Sequence, residues 1–223
     1  MLLAAVVLLV VGAAASAAVR CEETSVGAGS RLAEIDGQER LAWIDARLAD
    51  AGHQARVWTW GWSVGVGTSG LASLAVVPFV RRQDRVDWYT SAGSAAIGMI
   101  PFIFAPLDVT RDARELHAKI ATGTAANRTH DVCRLLRDAE TRMVRDAQDE
   151  RLQQSWWIHV GNLAFNSGVA LFLGLGFHHW TAGLINGVAG AAVGEAIILT
   201  QPTRTIDDLE AYRAGALVNA SPL

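Results

Sequence analysis

Residues 155–194 read SWWIHVGNLAFNSGVALFLGLGFHHWTAGLINGVAGAAVG, forty positions without one Lys, Arg, Asp or Glu. An α-helix rises about 1.5 Å per residue and bilayer hydrocarbon is about 30 Å thick, so one crossing takes about 20 residues. The stretch is long enough for two crossings, and Gly174 through Trp180, with Gly176, His178 and His179 between, marks the turn. Toward the N-terminus, residues 88–107, 57–80 and 1–19 are equally free of charge. All 41 charged side chains are crowded into the remaining 120 residues. A water-soluble domain scatters surface charge along its whole chain, so this pattern excludes one. Open β-structure would leave unpaired edge amides in lipid, and a barrel would show alternating ten-residue strands rather than continuous apolar runs. The net charge of −3 and the lack of a long basic run argue against nucleic acid as a partner.

The expected fold is therefore all-α: a polytopic membrane protein with transmembrane helices near 57–80, 88–107, 156–176 and 181–201. They form two tandem helical hairpins, 57–107 and 156–201, in the lipid bilayer. Arg81, Arg82 and Arg85 lie in the short turn of the first hairpin. The positive-inside rule puts that turn in the cytoplasm. Residues 20–56, 108–155 and 202–223 are then extracytoplasmic, as expected of a multi-pass protein of a bacterial inner membrane. Trp58, Trp60, Trp62, Trp156 and Trp157 fall at the outer span ends, and Trp88 and Trp180 at the inner ends, where amphipathic rings prefer to sit. Residues 1–17 end in Ala15-Ser16-Ala17, the small-x-small pattern of a signal-peptide cleavage site. Cleaved signal peptide or uncleaved N-terminal anchor, either leaves the chain from Arg20 onward outside.

Shifting the chain by 96 residues lays Trp60 on Trp156, Gly65 on Gly161, Gly98 on Gly194 and Pro106 on Pro202. Each hairpin also follows a charged amphipathic helix and precedes a Pro and a further helical run. This predicts an internal repeat of parallel orientation, its axis along the membrane normal. Gly183, Gly187, Gly190 and Gly194 recur at spacings of three and four, on one helix face, and Gly61 and Gly65 share a face of the first span. Small residues so spaced let helix backbones approach in lipid, within a tight four-helix bundle or across a homo-oligomer.

Outside the spans, Leu41, Ile44 and Leu48 line one face of 38–51, and Val132, Leu135, Leu136, Ala139, Met143 and Ala147 one face of 129–154. These are amphipathic helices. They predict a helical cap over the spans (segments 18–56, 108–155 and the tail 202–223), with a protein partner docking on its outer faces as the alternative use. Cys21 and Cys133 are the only cysteines, and both fall in the oxidising compartment, where an even pair suggests a disulfide.

Glu195 is the one acidic residue inside a span, about 9 Å deep by helical rise, with His159 and Asn162 at matching depth across the second hairpin. Ionisable groups at that depth are costly and mark sites to test. A Glu195–His159–Asn162 layer lends itself to locking two helices or to passing a proton or cation. No GxSxG, HExxH, P-loop or dinucleotide fingerprint is present, and the histidines show no metal-ligand spacing. The reading is thus a non-enzymatic membrane component, a scaffold or accessory subunit, with no cofactor and no metal. The alternative is a small transporter or channel subunit working through Glu195.

Overall fold

The computed structural model describes residues 18–21, 26, 30–123 and 129–217. The signal or anchor segment 1–17 and the end of the tail, 218–223, lie outside the described residues. Among the described residues every regular element is helical: α1 (Ser30–Glu34), α2 (Gly37–Val76), α3 (Arg85–Phe104), α4 (Val109–Gly123), α5 (Thr129–Gln153), α6 (Trp156–Phe177), α7 (Trp180–Leu199) and α8 (Arg204–Arg213). Four of these helices are long and apolar enough to cross a membrane. No more than 22% of any of their apolar windows is buried inside the protein. Leu71, Phe104, Val188 and Leu199 stand with more than two thirds of their surface uncovered. Apolar surface on that scale is stable against lipid and not against water.

The sequence separates a helix at 38–51 from a span at 57–80, whereas the structure fuses them into the 40-residue α2. The reason is local. Asp36 starts the helix by accepting from the amides of Gln38 (2.7 Å) and Glu39 (3.3 Å). Gly52 is then the lone weak helix former before the span, and no proline intervenes until Pro78. The second half is different. α5 stops at Gln153, and Ser155, in an extended conformation, starts α6 afresh. Past α6, His178 takes a left-handed conformation (φ 62°) and the His179 amide closes the helix end on the Leu173 carbonyl at 3.0 Å.

α2 packs along α3 and α6 along α7, but contacts between the two pairs are few. The expected tight four-helix bundle is instead two close pairs, joined mainly by a helical head. The head has its own core. The first part of α2 together with α4, α5 and α8 buries Leu41, Ile44, Leu48, Leu116, Leu136, Met143 and Leu209. Cys21 and Cys133 are disulfide-bonded with Cα atoms 5.3 Å apart, tying the N-terminal segment to α5.

Polar groups hold the head at its centre. Arg40 is 2% exposed. Its guanidinium donates to Tyr212 Oη (2.9 Å), Glu140 Oε1 (2.5 Å) and the Leu32 carbonyl (3.3 Å). Tyr212 in turn donates to the same Glu140 oxygen. Burial and Glu140 push the Tyr212 phenol upward, so it stays a donor.

The buried positions recur. Val109, Asp112, Ala113 and Leu116 face inward from α4, and Thr205, Asp208, Leu209 and Tyr212 do so from α8, each 96 residues on. Leu41, Ile44 and Leu48 in α2 are matched by Leu136, Ala139 and Met143 in α5, each 95 residues on. The difference of one residue falls at the break between α5 and α6, which α2 lacks. Ion pairs cross between the halves in the same register. Arg47 of α2 meets Asp208 of α8 at 3.5 Å, and Arg142 of α5 meets Asp112 of α4 at 2.8 Å.

Two outcomes follow for stability. Removing one member of a buried charge cluster strands the others, at a cost of about 3–5 kcal/mol, while replacing the whole cluster by apolar groups is often near neutral. Glu140→Leu alone should therefore lower the melting temperature in detergent far more than Arg40→Met, Glu140→Leu and Tyr212→Phe together. The second concerns Asp146, 2% exposed on α5. Burial first, then Asp112, raise its carboxyl to about 8 against a slight opposing pull from Arg145; Asp108 adds to the rise. The folded state thus holds a proton that the unfolded chain, with its carboxyl at the ordinary value of 3.8, has released. This contribution to stability is complete at low pH and is lost as pH climbs from about 4 to about 8. Glu150, raised by burial to about 7, acts in the same direction. Asp146→Asn should match the parent's melting temperature at the acid end of that window and exceed it at the alkaline end.

Candidate functional site

α6 and α7 form the closest helix pair, and their sequences make it so. A Cβ on Gly183 would strike the Ala170 carbonyl, and one on Gly187 would crowd Ala170 and the Asn166 carbonyl. On Gly190 and Gly194 it would collide with the side-chain oxygens of Asn166 and Asn162. All four glycines face α6, and two asparagines fill the notches they leave. The first span differs from expectation. Gly61 and Gly65 have nothing within 4 Å of a Cβ position, while Gly70 packs on Ala95 of α3. The reason is rotation. Val66 and Gly70 are the buried residues of the α2 part of that span and set its contact face; Gly65 sits about 100° and Gly61 about 140° around the helix from Val66.

At the end of this pair nearest the head His159, Asn162 and Glu195 come together. His159 Nδ1 lies 2.6 Å from Glu195 Oε2. Asn162 Nδ2 donates to Glu195 Oε1 (2.9 Å) and to the Ala191 carbonyl (3.0 Å). Asn166, which the sequence reading passed over, donates to the carbonyl (2.9 Å) and side-chain oxygen (2.8 Å) of Asn162. Both carboxylate oxygens of Glu195 are thus engaged, and the string runs one helical turn at a time down α6. A carboxylate and an imidazole at hydrogen-bond distance satisfy one another, so neither stands as an isolated polar group in lipid. His159 and Glu195 are 30% and 29% exposed.

A second polar set lies at the opposite end, between α3 and α7. His179 Nδ1 is 2.7 Å from Asp87 Oδ1, and Ser91 Oγ donates to Asn186 Oδ1 at 2.5 Å. His179 thus does more than the solvated turn the sequence suggests. At the head end the indoles of Trp58 (3.2 Å) and Trp62 (3.0 Å) both donate to Thr200 Oγ1, so these rings fasten α2 to the end of α7. Asn166 and Asn186 carry a signal in the sequence, since each is a polar side chain inside an apolar run. Ser91, the partner of Asn186, carries none.

The two polar sets do not join. Between Asn186 and the turn held by Asn166, α7 offers Gly187, Val188, Ala189 and Gly190, with both glycines against α6. Among the described residues no group of three His, Cys, Asp or Glu is placed to hold a metal ion. No family model, no curated protein and no solved structure matches this chain.

The notch geometry is directly testable. Gly190→Val should cost about 1–3 kcal/mol of overpacking and separate α6 from α7, read as a lower melting temperature in detergent. Gly61→Val, on an uncrowded face, should leave it nearly unchanged.

Proposed function

We propose that this is a structural or interaction component of a bacterial inner membrane, a scaffold or accessory subunit that meets a protein partner through an extracytoplasmic cap. The spans are two tandem hairpins, α2–α3 and α6–α7. Both enter from the outside and turn in the cytoplasm, at Arg81–Arg85 and at His178–His179. The helical head is then the cap. The disulfide in the head fits an oxidising compartment, and the three arginines fit the opposite side. The recurrence of buried positions after 95 or 96 residues favours origin by duplication, with the two caps paired through exchanged Arg–Asp contacts.

The observation that carries this reading is the enclosure of Glu195. Its two oxygens are taken by His159 and Asn162, and Asn162 is tied in turn to the α7 backbone. The ionisable group of the spans acts as a lock between two helices. The alternative, a small transporter or channel subunit, draws on the partial exposure of the same His159–Glu195 pair, through which a proton or cation would pass. It needs a continuation toward Asn186, where α7 carries only Gly, Val and Ala.

Proteoliposomes of the wild type should show no proton or cation flux above empty vesicles. Flux that disappears in Glu195→Gln, with unchanged melting, would overturn the scaffold reading. A photocrosslinking residue at the exposed positions Arg137 or Gln148 of α5 should trap one recurrent partner in whole cells. Cap positions that yield no adduct of any kind would count equally against it.

A further inference from the structure

The register between the halves shows where they differ. On one side, the groove between the end of α7 and α2 is occupied by Trp58 and Trp62, both bonded to Thr200. The position 95 residues after Trp58 is Gln153, near the start of the second span pair. Its smaller side chain leaves the space unfilled, its Oε1 accepting from Gln201 Nε2 at 2.8 Å. There the structure has a cavity of about 400 Å³ between the end of α3, the start of α4 and the end of α5.

The walls of this cavity carry both signs of charge: Asp108, Asp149, Arg111 and Arg114 all line it. Asp108 is bound by Arg111 at 3.0 Å, but Asp149 has no ion-pair partner among the described residues. Burial and the nearby Asp108 raise its carboxyl above the usual range, with Arg145 opposing. Arg114 uses its Nε on the Thr110 carbonyl at 3.1 Å and meets no carboxylate among the described residues. The rim is apolar: Phe104 is 79% and Leu152 65% exposed. Both sit where the spans end, at the depth of lipid headgroups.

We infer that this cavity binds the headgroup of a zwitterionic phospholipid carrying a primary amine, a phosphoethanolamine. Its ammonium donates to Asp108 and Asp149, its phosphate accepts from Arg114, and its acyl chains run down past Phe104 and Leu152. The charge pattern selects within lipids. A primary ammonium has three N–H donors for the carboxylates, whereas a trimethylammonium has none, and an anionic headgroup without an amine would be held by the arginines but leave Asp149 without a donor. Trp58 and Trp62 close the corresponding groove in the other half, so one site per chain is expected. The inference rests on the membrane reading above.

The test is native mass spectrometry of the full chain released from nanodiscs of equal phosphatidylethanolamine, phosphatidylcholine and phosphatidylglycerol with matched chains. One phosphatidylethanolamine should be retained in preference to the other two. Asp149→Asn should reduce that preference roughly tenfold, the loss of one charge-assisted hydrogen bond. Gln153→Trp, which copies the filled groove, should abolish retention while leaving the melting temperature intact. Soluble glycerophosphoethanolamine should compete weakly if the headgroup alone is read, and its failure to compete at any concentration would assign the retention to the acyl chains and overturn the site. Equal retention of the three lipids, or a preference untouched by both variants, also overturns it. A protein that stays monodisperse without amphiphile would instead fail the membrane reading, before any lipid is counted.

Discussion

The Arg40–Glu140–Tyr212 cluster is the joint on which the rest of this molecule depends. α2 and α3 pack on one another, as do α6 and α7, yet the pairs touch only sparingly. Lipid offers no hydrophobic drive to bring such pairs together. The relation between them is fixed in the head, where Arg40 of the first half is held by Glu140 and Tyr212 of the second. A guanidinium 2% exposed among leucines would be prohibitive alone, and with its donors satisfied it specifies one arrangement of α2 against α5 and α8. The disulfide and the paired contacts Arg47–Asp208 and Arg142–Asp112 work on the same interface.

Within the spans, cohesion comes from shape and a few hydrogen bonds. Asn162 and Asn166 enter the space that Gly194 and Gly190 leave, and their amides bond across or along the helices. The two features need each other. A larger residue on α7 would expel the asparagine, and an apolar residue on α6 would leave Glu195 with one partner fewer. α2 against α3 packs Gly70 on Ala95 and Val66 on Gly98, and among the described residues no polar string accompanies them. The second pair is therefore the more firmly held of the two.

The halves are alike in backbone register and unlike in chemistry. The second pair carries Glu195, His159 and Asn162 where the first has Met99, Ser63 and Val66. The first carries Trp58 where the second has Gln153. α2 runs unbroken from head to span, while α5 and α6 are separated at Ser155. A fold built from two similar units can in this way confine a polar lock to one span pair and leave a cavity on only one side of the head.

Much of this was legible from residues 155–194 and their three companion stretches. Forty consecutive positions without charge admit few solutions, because every backbone amide in hydrocarbon must be satisfied within its own helix. That requirement is local, so the helical class, the four long apolar helices, the amphipathic faces of α4 and α5, and the glycine face of α7 could all be read from spacing. The pairing of Glu195 with His159 and Asn162 was accessible too, since a short turn forces α6 and α7 side by side. What spacing could not supply was rotation and long-range partnership. The burial of Gly70 rather than Gly61 and Gly65, the meeting of Arg40 with residues 100 and 172 positions away, and the contact of Asp87 with His179 depend on how finished helices turn toward one another. Those choices are made by side-chain fit across the whole assembly, and only the tertiary structure records them.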